Sequence, residues 1–82
     1  MIQLRFKHDG NNYKAEYEEK GENYFVKNIR LDFEDIIGDM PLRSMVIHLV
    51  VHDDDVLWID ENGQTNEFIK IVGQAIEDHE MQ

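Results

Sequence analysis

The sequence predicts an α+β fold: an antiparallel sheet of about five strands with a C-terminal helix packed on one face, the elements running β-β-β-α-β-β-α. Three features predict it. Residues 2–7 and 13–18 alternate apolar and polar side chains, the period of two that marks a half-buried strand. Residues 44–63, SMVIHLVVHDDDVLWIDENG, form the most apolar stretch, broken by Asp53-Asp54-Asp55 and closed by Asn62-Gly63. That is the pattern of two strands folded into a hairpin. Residues 66–79 carry apolar side chains at helical spacing.

Taken in order, Ile2, Leu4 and Phe6 alternate with Gln3, Arg5 and Lys7. Asp9-Gly10-Asn11-Asn12 supplies turn chemistry, because Gly and Asn tolerate positive φ. Tyr13, Ala15 and Tyr17 then alternate with Lys14, Glu16 and Glu18. A two-residue turn pairs Phe6 with Tyr13 and Leu4 with Ala15. A four-residue turn pairs Phe6 with Ala15. Both keep the apolar residues on one face, so the pattern leaves the register open.

Lys20-Gly21-Glu22-Asn23 is the next turn, and residues 24–31 read as a third strand. Phe25, Ile29 and Leu31 fall on one face and Tyr24 and Val26 on the other, which a bulge near Lys27 or Asn28 reconciles. Tyr13, Tyr17 and Tyr24 suggest a binding platform, but aromatic residues are good strand formers and fill the cores of small sheets. Asp32-Phe33-Glu34-Asp35-Ile36-Ile37-Gly38 reads as a short helix, capped by Asp32 and stopped before Pro41.

In the central hairpin, a three-residue loop over Asp53–Asp55 gathers Ile47, Leu49, Val51, Leu57 and Ile59 on one wholly apolar face. Register follows the buried face, so this loop is preferred over a two-residue one. The other face then carries His48, Val50, His52, Val56, Trp58 and Asp60, of which all but His52 are the candidate interaction residues, with Val46 beside them. On this reading that band is open to another chain, with Trp58 as an interface anchor. His48 is expected opposite Asp60. Such a pair invites a catalytic reading, but Ser44 and Thr65 are the only hydroxyl nucleophiles of their kinds and neither sits in a nucleophile elbow.

The last segment is ambiguous over residues 64–71, since Asn62-Gly63 also suits a further hairpin. A helix from Asn66 to His79 with Thr65 as N-cap is preferred. Phe68, Val72, Ala75, Ile76 and His79 share its apolar face, flanked by Ile69, while Gly73 costs about 1 kcal/mol.

Composition bounds function. Eighty-two residues make one domain, 1–82. Such a domain has about 5 kcal/mol of stability to spare, which makes self-association a common supplement. There are no cysteines, so no disulfide or thiolate metal site is available. Eighteen acids against eight bases give a formal charge of −10. That charge disfavours direct binding to nucleic acid or membrane and favours a basic protein partner.

No EF-hand spacing occurs at Asp32–Asp39 or at the aspartate triplet. His48 and His52 stand about 13 Å apart on a strand, too far to share one ion. No cofactor or metal is expected. With no apolar run long enough to span a bilayer, a cytoplasmic protein is the expectation. The preferred reading is a small, acidic, non-catalytic interaction module that forms a homodimer or docks to a basic protein. A DNA-mimicking inhibitor and a small metal-dependent enzyme using His48, Asp60 and the Asp53–Asp55 loop are the alternatives.

Overall fold

The structure is a computed structural model that describes residues 1–32 and 43–81. Five antiparallel strands follow one another as a meander: β1 (Ile2–His8), β2 (Asn11–Lys20), β3 (Asn23–Leu31), β4 (Arg43–His52) and β5 (Asp55–Asp60). One helix, α1 (Glu67–Glu80), follows. The short helix expected over residues 32–38 lies, past Asp32, outside the described residues.

The β1–β2 turn is the two-residue one: Phe6 faces Tyr13 and Leu4 faces Ala15. Asp9 and Gly10 both take positive φ, 52° and 80°, as a turn matched to strand twist requires. The bulge falls where the mixed pattern of the third strand called for it. Register shifts between Val26 and Ile29, and Asn28 takes φ 58°. That extra residue lets Tyr24, Val26 and Ile29 all point to the inner face.

The inner face and α1 make the core. Leu4, Phe6, Ala15, Tyr17, Val26, Ile29, Ile47 and Trp58 come from the sheet, and Ile69, Val72 and Ile76 from the helix. The three tyrosines belong to this core rather than to a platform: Tyr17 is fully buried, and Tyr13 and Tyr24 pack against it. The helix starts one residue later than expected. Asn66, not Thr65, is its cap, and its side-chain oxygen accepts from the Ile69 amide at 2.8 Å. The helix touches β1 on one side and β4 and β5 on the other, so the sheet curls around it, concave within and convex without.

The β4–β5 register corrects the sequence reading. The loop has two residues, Asp53 and Asp54, at φ 50° and 71°, and Leu49 faces Trp58, Val50 faces Leu57 and Val51 faces Val56. Asp55 is paired with His52 inside the ladder. A two-residue turn with both central residues at positive φ matches the right-handed twist of its strands, and aspartate tolerates that conformation. The expected all-apolar face therefore does not form. Ile47, Leu49, Val51, Val56, Trp58 and Asp60 share the inner face; Val46, His48, Val50, Leu57 and Ile59 share the outer one. Asp60 is accommodated because it ends the strand, where its carboxylate accepts from the amides of Asn62 and Gln64, each at 2.9 Å.

Candidate functional site

The register decides where each candidate residue lies, and it splits the expected band. Trp58 is not on an open face. It is 7% exposed, under α1 and edge-on to Tyr24 with ring centroids 5.4 Å apart. His48 and Val50 lie on the outer face, beside Phe25, Val46, Leu57 and Ile59, all half-buried. His48 does not meet Asp60. Its cross-strand partner is Ile59, Asp60 faces Ile47, and the two side chains point to opposite faces. The His–Asp arrangement behind the catalytic alternative is thus absent. The outer-face Nδ1 of His48 is buried with no hydrogen-bond partner among the described residues.

Val56 alone of the candidates is well exposed, at 56%, and it leads to the surface that sequence reasoning missed. The helix covers the inner face of β4 and β5 only as far as Ile47 and Trp58. Beyond them the hairpin runs on past the C-terminal end of the helix. There Leu49 (39% exposed), Val51 (74%) and Val56 (56%) form an apolar shelf on the concave side. Met81, the C-cap of α1, is exposed as well. Apolar side chains left uncovered together, rather than singly, are the informative kind of exposure.

Carboxylates frame this shelf. Asp53 and Asp54 make the hairpin tip, both exposed, while Asp55 faces outward opposite His52. On the opposite side stand Glu19, across from Tyr24 on the inner face, and Glu80, 3.5 Å from the Tyr24 hydroxyl. The field of these acids reaches the two tyrosines. Burial first, then the charges of Glu80 and Glu19, push the Tyr24 hydroxyl up from 10.0 to about 12, and the same causes raise Tyr17.

A pH dependence follows. The folded chain keeps the Tyr24 proton above the pH at which an unfolded tyrosine, near 10, gives it up. The unfolded state then binds fewer protons, so stability present below about 10 is lost as pH rises toward about 12. Urea melts between these limits are expected to show the fall, and Tyr24→Phe to make it shallower. An unchanged slope in the variant would remove Tyr24 as its source.

Elsewhere, one group of possible metal ligands occurs among the described residues. His8, Asp9 and Glu67 bring their ligand atoms within 4.8 Å of one another, with His8 Nδ1 3.7 Å from an Asp9 oxygen. A groove between β1 and α1, lined by Leu4, Phe6, Ile71, Ala75 and His79, contains neither Ser44 nor Thr65. Among the described residues no helix is long and apolar enough to cross a membrane. No protein-family model matches the chain, and no curated protein or solved structure is found similar to it.

Proposed function

We propose that this protein is a non-catalytic interaction module whose shelf docks a basic, amphipathic segment of a protein partner. The observation that carries this reading is the shelf itself: Leu49, Val51 and Val56 uncovered together and bounded by carboxylates on both sides. Apolar side chains of the partner would cover the three residues. Its Lys and Arg side chains would meet Glu19 and Glu80 on one side and Asp53 and Asp54 at the hairpin tip on the other. Burial of the apolar strip supplies affinity at about 25 cal/mol per Å², and the charges supply orientation and selection against acidic partners. The net charge of −10 adds long-range attraction for a basic partner.

The test compares affinity capture from the native cell by the wild-type chain and by V51D/V56D. Both valines are exposed but stand opposite one another in the ladder, so the double variant is expected to fold with a loss of about 0.2–1 kcal/mol, which a dichroism melt checks. The wild type should retain a basic protein that is released progressively by salt, and the variant should lose it at least tenfold. A partner held equally by both chains, or one insensitive to salt, would refute the shelf as the docking surface.

A further inference from the structure

Formal charge conceals how the bases are placed. Of the eight Lys and Arg residues, six lie on the outer face of β1–β3: Arg5, Lys7, Lys14, Lys20, Lys27 and Arg30. Among the described residues Glu16 and Glu18 share that face with them and Asp32 stands at its end, so six bases against three acids leave it locally positive in a chain of −10. The strand register builds this surface. Arg5 faces Lys14 and Lys14 faces Arg30, making one cross-strand row, with Lys7 and Lys27 in the flanking rows. Like charges directly opposite one another destabilise a sheet, so the row has a cost. Part of it is offset locally: Arg30 pairs with Glu16 at 3.1 Å, Lys14 lies 4.0 Å from Asp32, and Lys20 lies 3.8 Å from Glu18. Arg5, Lys7 and Lys27 are exposed. Beyond the Gln3–Glu16–Lys27 row, the same face carries the apolar Phe25 and Val46, opposite one another, with Glu18 and Glu61 beside them.

We propose that this outer face is a second docking surface, and that its occupant is the shelf of another copy of the chain. The inference rests on the shelf reading and names the partner. Each surface has what the other lacks. The shelf is apolar, framed by Glu19, Glu80 and the tip residues Asp53 and Asp54, and lies on the concave side of the curled sheet. The outer face is convex, with the apolar Phe25 and Val46 beside Lys27 and Lys20 and the Arg5–Lys14–Arg30 row and Lys7 farther along it. The two surfaces sit on opposite sides of one chain, so the contact is head-to-tail. A contact of that kind leaves one of each surface unused at the ends of the assembly and permits growth beyond a dimer. Two copies of charge −10 repel at long range, but at physiological ionic strength the Debye length is about 8 Å. Contacting groups then dominate over the total charge.

A head-to-tail contact has a signature that a symmetric dimer lacks. Sedimentation equilibrium at physiological ionic strength should show the wild-type mass rising with concentration past that of a dimer. R5Q/K7Q/K27Q breaks the basic face and V51D/V56D breaks the shelf, so each alone should sediment as a monomer. Mixed, they should form a one-to-one complex, since each keeps the surface the other has lost. Circular dichroism melts of both variants check that they fold. A strictly monomeric wild type, a closed dimer, or folded variants that fail to complement one another would overturn the proposal. None of these outcomes bears on capture of a foreign basic protein by the shelf, so the two readings fail separately.

Discussion

Trp58→Ala is expected to leave much of the chain unfolded at room temperature. Trp58 is 7% exposed and joins α1 to the sheet: Tyr24 meets its ring edge-on, and Gly73 of the helix lies directly over it. Truncating a buried tryptophan to alanine removes the largest side chain and leaves a cavity, at a cost of about 3–5 kcal/mol. A domain of this size has about 5 kcal/mol in all. The variant should therefore show a far-ultraviolet dichroism signal well below the wild type and a broad, early melt. The same measurement discriminates between registers. With the three-residue loop, Trp58 would stand on the uncovered face and its loss would cost little. A variant that melts within a few degrees of the wild type would contradict the two-residue turn and the seat of the helix.

Gly73→Ala should also destabilise, against the usual expectation for a helix. Alanine in place of an interior glycine ordinarily stabilises a helix by about 1 kcal/mol. Here a Cβ at position 73 would overlap the indole of Trp58 at Cγ and Cδ2, atoms near the root of a fixed ring that cannot swing aside. Overpacking of this sort costs about 1–3 kcal/mol. The melting temperature should fall by several degrees, since 1 kcal/mol corresponds to about 4–8 °C in a domain of this size. Adding Trp58→Leu to the Gly73→Ala chain should cost less than the two single losses together, because the smaller side chain relieves the overlap. A rise in melting temperature for Gly73→Ala alone would show that the helix does not sit on Trp58.

Much of the fold was legible because its signals are local. Turn residues at Asp9-Gly10, alternation on either side of them, and the out-of-phase Phe25 and Val26 are each decided within a few positions. Two registers remained open for the first hairpin, and the observed one needs a pair of positive-φ residues that Asp9 and Gly10 supply. The helix was displaced by one residue because Thr65 and Asn66 are both competent caps. The glycine penalised as a helix residue, Gly73, proved to be a packing requirement.

The central hairpin was misread for a physical reason. Its register was chosen by assuming that one whole face is buried. In the folded chain the helix covers the inner face only as far as Ile47 and Trp58, so Leu49, Val51 and Val56 escape the rule. Burial on one face selects a register only where something covers that face. The turn selected it instead, through the conformation of Asp53 and Asp54. The consequence reached the candidate site. Val56 remained accessible, Trp58 passed into the core, and His48 and Asp60 parted to opposite faces.

By itself the sequence determined the α+β class, the five strands and the C-terminal helix, the β1–β2 turn region, the bulge in β3 and the excess of acid. These follow from periodicities of two and of 3.6 residues and from turn chemistry, all written along the chain. Only the tertiary structure decided which apolar residues the helix covers, and so which form the shelf. It also decided that bases distant in sequence stand in one row, because cross-strand register joins Arg5, Lys14 and Arg30. Coverage and register both depend on contacts between segments far apart in the chain, which local pattern does not encode.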